Sequence, residues 1–300
     1  MKKQYFCALK ILITVLPENS TQNRLQREMD RLHLCVVVPT YNNQKMLAGV
    51  LDDVLQYTSS VIVVNDGSTD QTSDTLRGYV DRIDVVSYTP NRGKGYALKT
   101  GFNRAEELGY KNAITIDSDG QHFASELERF VEYATVYPDA MLIGQRTTEG
   151  AMPKKNTFAN KFSNFWFTLQ TTCRLKDTQN GFRLYPLSAM KGLRPLTSRY
   201  EAELEMLVRS VWKGLRVVAV PTRIYYPPEN ERITHFRPGI DFFRISLLNT
   251  ALTLMAIVYG YPAMFCRRIF TKNAKNKSNR PASSDTHTIH PAINTNKEKP

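Results

Sequence analysis

Five short apolar runs, alternating with segments of helical period, constrain the fold of this 300-residue chain more than any other feature. The runs occupy positions 34–39, 61–64, 83–88, 113–116 and 140–143. The segment between the first two runs has one apolar helical face, formed by Leu47, Val50, Leu51, Val54 and Leu55. This alternation predicts an α/β fold in which helices flank a mostly parallel central sheet on both faces.

Polar residues follow three of these runs. Tyr41 and Asn42 come after the first run, Asp66 after the second, and Asp117 and Asp119 after the fourth. Ligands of open parallel sheets bind beyond the carboxyl ends of the strands. We therefore expect these side chains to line one cleft.

Asp117 and Asp119 are separated by a single residue at the end of an apolar strand. Both carboxylates can reach one hard cation there, and Mg²⁺ or Mn²⁺ suits oxygen ligands that a bound diphosphate completes. An Asp-x-Asp pair is also common in ordinary turns. The position at a strand end is what favours the metal.

The segment 91–95, N-R-G-K-G, is a second candidate for binding a ligand. Its glycines allow the backbone to approach a ligand, while Arg92 and Lys94 can neutralise phosphate. The alternative is a glycine turn that opens a helix. Asp66 has the same two interpretations, as an acceptor for a nucleobase or ribose and as a turn residue.

Five polar motifs occur in order between residues 33 and 240. They are P-T-Y-N at 39–42, V-V-N-D-G-S-T-D at 63–70, N-R-G-K-G at 91–95, D-S-D-G-Q-H at 117–122 and D-T-Q-N-G-F-R at 177–183. Together they resemble glycosyltransferase family 2, and within it the dolichol- or polyprenyl-phosphate sugar synthases. The resemblance implies a GT-A fold and inverting transfer of a sugar from a UDP- or GDP-sugar to polyprenyl phosphate or a related lipid or glycan.

The resemblance also implies roles for individual residues. By position, Pro39, Tyr41 and Asp66 match its nucleotide contacts, and Asp117 matches its diphosphate site. Our candidate set for binding the nucleotide sugar also includes Asn43, Arg92 and Lys94. The implied metal ligands are Asp117, Asp119 and Gln121. This chain departs from the family at Asn43, where Glu is usual, and at Asn65, where Asp is frequent.

The second half of the chain supplies candidates for binding the acceptor phosphate. Arg146 ends the fifth apolar run, Lys155 follows in a predicted loop, and Asp177 and Arg183 lie in a polar segment that we expect to face the cleft. Similar enzymes place basic residues near the acceptor phosphate. For Lys155, a solvated surface lysine is the alternative.

Acidic and basic residues near the end of the predicted domain complete the candidate catalytic set. Glu201 and Glu203 lie at the start of a predicted amphipathic helix at 200–213. Their functional interpretation is that one of them acts as a general base or positions the acceptor. The alternative is that both only stabilise the helix through its dipole. Further along, His235 and Arg237 are candidates for binding a diphosphate or lipid phosphate. A structural histidine and a solvated basic face are the alternatives.

Both ends of the chain differ in composition from the predicted domain at 32–240. Residues 1–31 suggest an extension or linker, with Met29 as an alternative start. The segment 241–270 is largely apolar, and no charged residue lies within 245–266. Its length allows a membrane span, but the basic residues after it favour helices lying in the membrane interface. Residues 271–300 predict a disordered basic tail.

Composition limits the partners and the compartment. The net charge of +12 favours an anionic partner or membrane surface, and no nucleic-acid-binding motif accompanies it. Four scattered cysteines, Cys7, Cys35, Cys173 and Cys266, fit a reducing compartment, so we expect the cytoplasmic face of the cell membrane.

Two further functions remain open from the residues. One is a glycosyltransferase that extends a cell-surface polysaccharide without a lipid-phosphate acceptor. The other is a sugar nucleotidyltransferase, which would need a glycine-rich, lysine-bearing loop after the first strand. This chain has T-Y-N-N at 40–43 instead.

Overall fold

A seven-stranded sheet forms the centre of the protein. The computed structural model describes residues 20–147, 154–193, 195–226 and 238–278. The strands are β1 (Leu34–Thr40), β2 (Val61–Asp66), β3 (Asp84–Tyr88), β4 (Asn112–Thr115), β5 (Met141–Arg146), β6 (Arg183–Pro186) and β7 (Val217–Thr222). Their order is β3-β2-β1-β4-β6-β5-β7, and β6 runs antiparallel to both of its neighbours, while the other pairs are parallel.

Ten α-helices lie within the described residues. They are α1 (Ser20–Arg31), α2 (Leu47–Leu55), α3 (Thr72–Arg77), α4 (Lys94–Glu107), α5 (Leu127–Val136), α6 (Lys154–Thr171), α7 (Leu187–Met190), α8 (Glu201–Lys213), α9 (Pro238–Met255) and α10 (Tyr261–Ser278). The predicted α/β architecture is confirmed, and each of the five predicted strands is present.

The strands are buried on both faces, which explains their continuous apolar sequences. Alternate residues of β1 point to opposite sides, so that Val36 and Val38 join one apolar cluster and Cys35 and Val37 join the other. The first cluster includes residues of α1, α2 and α5, whereas the second includes residues of α4, α8 and α9. Helices therefore cover both faces of the sheet.

The N-terminal segment differs from the predicted linker. Residues 20–31 form α1, and Leu25 and Met29 are buried in the first apolar cluster. Gln26 also accepts a hydrogen bond from the backbone N–H of Ser59 at 2.9 Å. Two apolar residues spaced by one helical turn are enough to pack this otherwise polar helix against the domain.

The predicted apolar segment forms α9, a π-helical turn at Ala256–Gly260 and the start of α10. Within the described ranges, Gly239–Ile269 is the helical stretch that is long and apolar enough, at 31 residues, to cross a membrane. Leu248, Leu252 and Ala256 nevertheless pack into the second apolar cluster. Helix α10 extends to Ser278, into the predicted disordered tail, and residues 279–300 lie outside the described residues.

Two helical glycines give a matched test of this packing. A Cβ atom at Gly260 would lie 2.6 Å from the indole nitrogen of Trp212, whereas nothing lies within 4 Å of a Cβ at Gly49. We expect Gly260→Ala to lower the free energy of unfolding by about 1–3 kcal/mol through overpacking. Gly49→Ala should raise it by about 0.4–1 kcal/mol through reduced unfolded-state entropy.

Urea unfolding of both variants measures these changes. Equal effects of the two substitutions would contradict the close approach of the π-helical turn to Trp212.

Candidate active site

A cavity of about 1000 Å³ lies at the carboxyl ends of β1 and β2 and beside the turn that follows β4. The predicted site residues that line it are Pro39, Tyr41, Asn43, Asp66, Lys94, Asp117 and Asp119. Parallel pairing of β1 with both β2 and β4 brings these distant parts of the sequence to one edge of the sheet. The predicted shared cleft is therefore present.

An ion triad lies at the centre of the site. The Lys94 ammonium Nζ is 2.7 Å from Asp117 Oδ1 and 2.9 Å from Glu203 Oε2. Burial opposes the charge of Lys94, but the two carboxylates outweigh that effect and raise its pKa. The triad joins the start of α4, the turn after β4 and the first turn of α8.

Asp117 is held from several sides. Burial favours its neutral form, yet the nearby charge of Lys94 and, next, the contact with His122 hold the pKa of Asp117 well below the usual range. His122 Nε2 lies 3.8 Å from Asp117 Oδ2. A side chain at Gly181 would collide with the same carboxylate, so the loop before β6 passes directly over it.

Nearby positive charge offsets the carboxylate of Asp119 less than that of Asp117. Burial and, next, the charge of Asp117 raise the pKa of Asp119. Its Oδ1 accepts a hydrogen bond from the backbone N–H of Gln121 at 3.0 Å. The Gln121 carbonyl accepts a bond from the N–H of Tyr225, so this turn is tied to the segment after β7.

Asp66 shapes the cavity through the 91–93 loop. Its carboxylate accepts hydrogen bonds from the N–H groups of Arg92 and Gly93, at 2.7 and 2.8 Å, and from Asn91 Nδ2 at 2.8 Å. Gly67, with a φ of 68°, packs so closely on Asn91 that an added Cβ would lie 2.5 Å from its backbone nitrogen. Asp66 thus orders the loop that leads to Lys94.

Two predicted donor-binding residues make other contacts. Asn43 Nδ2 donates to the carbonyl and, at 3.1 Å, to the hydroxyl of Ser118, so it links the loop after β1 to the Asp-x-Asp turn. Arg92 Nη1 donates a hydrogen bond of 2.7 Å to the Tyr96 hydroxyl, and the guanidinium lies over the Tyr96 ring. Arg92 does not line the cavity.

Arg146 and Asp177 form a bidentate pair at the end of β5. Arg146 Nη2 lies 2.8 Å from Asp177 Oδ1, and Nε contacts the other carboxylate oxygen. Arg146 Nη1 also lies 3.3 Å from the hydroxyl of Tyr226. These residues share the sheet edge with the cavity but do not line it.

Arg183 differs most from its predicted role of facing the acceptor. It begins β6, is buried, and donates to the carbonyl oxygens of Asn180, Glu203 and Thr178 at 2.7–2.8 Å. Its guanidinium therefore joins the 177–183 loop to α8 and has no surface left for a phosphate. The prediction of a cleft-facing loop residue is wrong for Arg183.

Three other predicted residues lie partly or wholly outside the residues that the structure describes. Residues 235 and 237 and the side chain of Lys155 lie outside the described residues, so their roles stay predictions. The backbone at Lys155 belongs to α6 and not to the predicted loop.

The cavity also contains residues that the sequence did not identify. Arg199 and Tyr200 precede α8, and Asp241, which is buried, comes from the first turn of α9. A lone acid near the start of an apolar helix is the signal that would have singled out Asp241.

A mostly parallel sheet with an Asp-x-Asp turn in a cavity at its carboxyl edge is the arrangement expected of a glycosyltransferase of the GT-A fold. The sequence profile described as Glycosyl transferase family 2 matches residues 35–191. The chain belongs to that family.

Named relatives and a solved structure agree with this assignment. A UDP-N-acetylglucosamine–dolichyl-phosphate N-acetylglucosaminyltransferase of Methanococcus voltae is 25% identical, covering 73% of this chain and 97% of the relative. An undecaprenyl-phosphate mannosyltransferase of Micrococcus luteus is 28% identical, covering 63% and 82%. The fold is similar to that of glucosyl-3-phosphoglycerate synthase from Mycobacterium tuberculosis, solved with Mn²⁺, UDP and phosphoglyceric acid, with a TM-score of 0.60, 17% identity and coverage of 79% and 82%.

Arg183→Lys tests the buried guanidinium. A lysine ammonium cannot reach three separated carbonyl oxygens, and each buried group left unpaired costs about 1–3 kcal/mol. We expect urea unfolding to show a loss of at least about 2 kcal/mol. The same substitution at the exposed Arg174 is the control and should change stability by less than about 0.5 kcal/mol. Similar losses for both variants would contradict the structural role of Arg183.

Proposed function

We propose that this glycosyltransferase transfers a sugar, with inversion, from a UDP- or GDP-sugar to polyprenyl phosphate or a related lipid or glycan. The observation that carries the proposal is the presence of Asp117 and Asp119 in one cavity with Tyr41 and Asp66. Relatives named for dolichyl-phosphate and undecaprenyl-phosphate acceptors support the lipid phosphate.

The carboxylate oxygens in the cavity are ligands that suit Mg²⁺ or Mn²⁺. Within the described part of the chain, no group of three His, Cys, Asp or Glu side chains gathers as a complete metal site. Magnesium characteristically binds through one or two carboxylates and completes its shell with substrate phosphates and water. Asp117 and Asp119 match that partial set. Burial and, next, the charge of Asp117 raise the pKa of Asp119, and a bound cation would oppose both effects. Gln121 is our proposed third ligand.

The chain's own residues would act mainly by positioning and charge compensation. When bound, the divalent ion would stabilise the negative charge that develops on the leaving diphosphate. Lys94 lies where it can contribute a second positive charge. A phosphate acceptor is already ionised at neutral pH, so its oxygen can form the new bond to the anomeric carbon as the bond to the diphosphate breaks, without a general base.

Glu201 and Glu203 therefore have different proposed parts. Glu203 Oε2 lies 2.9 Å from Lys94 Nζ, and this ion pair makes Glu203 a positioning group. Glu201 is buried, and its Oε2 has no hydrogen-bond partner among the described residues. Glu201 does not line the cavity itself but directly follows the lining residues Arg199 and Tyr200. We assign Glu201 to contact with the sugar or the acceptor.

The exposed apolar residues of helix α9 favour binding of the enzyme to a membrane surface. Phe242 and Phe243 are 50% and 67% exposed, and Ile240 and Leu247 are also exposed. Since the opposite side of this helix packs on the domain, we favour a helix that lies in the interface over one that spans the bilayer. A cytoplasmic location agrees with a nucleotide-sugar donor and scattered cysteines.

Calorimetry with UDP and GDP, with and without Mn²⁺, tests the donor site. We expect Mn²⁺-dependent binding of one nucleotide by the wild type and a loss of at least about tenfold in Asp119→Ala, because one carboxylate ligand is removed. Asp74→Ala, on the exposed surface of α3, is the control and should bind normally. Equal binding by wild type and Asp119→Ala would rule out the metal assignment.

A transfer assay tests the acceptor and the membrane surface. UDP-N-acetylglucosamine, UDP-glucose and GDP-mannose, each radiolabelled, are offered to undecaprenyl phosphate in anionic vesicles. We expect transfer to lipid by the wild type and a loss of at least about tenfold, together with weaker vesicle sedimentation, in Phe242→Ser/Phe243→Ser. The control Val80→Ser/Val136→Ser removes two other exposed apolar residues. Transfer to a water-soluble glycan alone would disprove the lipid acceptor.

A further inference from the structure

The Lys94 ammonium occupies a position that a metal ion would be expected to approach. It lies 2.7 Å from Asp117 Oδ1 and 2.9 Å from Glu203 Oε2. The three side chains are only 16%, 23% and 10% exposed, so water screens these charges weakly. An ammonium at these distances is a direct competitor for the Asp117 oxygen.

The charges around this point explain why a cation is needed there. Asp117 and Asp119 line the same cavity, and Lys94 lies between the carboxylates of Asp117 and Glu203. His122 is the other basic side chain near Asp117, at 3.8 Å. Clustered carboxylates in a poorly solvated site repel one another unless a positive charge lies between them. Lys94 supplies that charge within the protein.

We propose that Lys94 holds part of the cation site at Asp117 in the nucleotide-free enzyme, and so makes tight binding of the divalent ion depend on the nucleotide diphosphate. The inference rests on the proposed donor site. A divalent ion alone must share or displace the ammonium at Asp117. A diphosphate adds negative charge and oxygen ligands, which allow Lys94 and the metal to be bound together.

This arrangement predicts strong positive coupling between metal and nucleotide. Each ligand then raises the affinity of the other by the same factor, because coupling is reciprocal. Removal of the Lys94 charge should lower this coupling factor, because it strengthens metal binding in the absence of nucleotide more than in its presence. Loss of a merely structural lysine would not strengthen metal binding.

The test is calorimetric titration of Mn²⁺ into nucleotide-free protein, repeated with saturating UDP or GDP. We expect Lys94→Met to bind Mn²⁺ alone at least tenfold more tightly than the wild type, and the coupling factor to fall at least tenfold. Lys94→Arg keeps the positive charge and should resemble the wild type. Lys99→Met, an exposed lysine on the same helix α4, is the matched control and should also resemble it.

Thermal unfolding of the same proteins adds a second readout. Metal-free Lys94→Met should melt below the wild type, and Mn²⁺ should restore it by filling the site that the ammonium leaves. Lys94→Gln removes the charge but keeps a hydrogen-bond donor, and it should show the same tighter Mn²⁺ binding. It replaces Lys94→Met if that variant does not fold without metal.

Several results would overturn the inference. The first is an Mn²⁺ affinity of folded Lys94→Met or Lys94→Gln that equals or falls below the wild-type affinity. The second is an unchanged coupling factor. The third is failure of both variants to fold even with Mn²⁺. Wild-type protein that binds neither UDP nor GDP with Mn²⁺ would refute the proposed function instead. The nucleotide-free titrations are independent of that outcome.

Discussion

The accumulation of carboxylates at one edge of the sheet is the constraint on which the rest of the site depends. Parallel pairing of β1, β2 and β4 directs the ends of these strands toward one cavity. Burial makes uncompensated charge costly there. The Lys94 contacts with Asp117 and Glu203 therefore stabilise the turn after β4 and the start of α8 together. The fold and the chemistry of the site share the same ion pairs.

Buried polar contacts fix the loops around these ion pairs. Asp66 orders the 91–93 loop, which places Lys94 at the start of α4. Arg183 ties the 177–183 loop to the Glu203 carbonyl, and the same loop brings Gly181 against Asp117. Hydrogen bonds to charged groups are stronger than neutral ones and are costly to leave unmade. Side chains that do not touch a ligand thus determine the shape of the ligand site.

The apolar runs and strand-end acids predicted the sheet and the central cavity because both follow from local sequence. Long buried strands must be apolar, and parallel strands place their ends together. Strand β6 was missed because it is four residues long and begins with a charged residue, Arg183. Helix α1 was missed because Leu25 and Met29 are its only residues in the apolar core among those whose burial is described.

Individual contacts of the site were less predictable than its position. Asn43 could be assigned to the loop after β1, but its bond to Ser118 depends on how two distant loops pack. Likewise, nothing in the sequence near Arg183 indicates that its three acceptors are backbone carbonyls, one of them on α8. Tertiary contacts of this kind determine whether a charged motif residue faces a ligand or holds the protein together.

Helix α9 connects the cavity with the exposed apolar surface. Asp241 in its first turn is buried and lines the cavity, while its neighbours Ile240 and Phe242 are exposed. A lipid phosphate likewise has an apolar part and a charged part. Its apolar chain can contact the exposed residues of α9, while its charged head must reach the sugar donor in the cavity. Arg199 also lines the cavity, and its guanidinium is suited to binding a phosphate. For the proposed acceptor, the charged head would therefore bind at Arg199 or at the metal-facing side of the cavity, while the apolar chain lies along the exposed residues of α9.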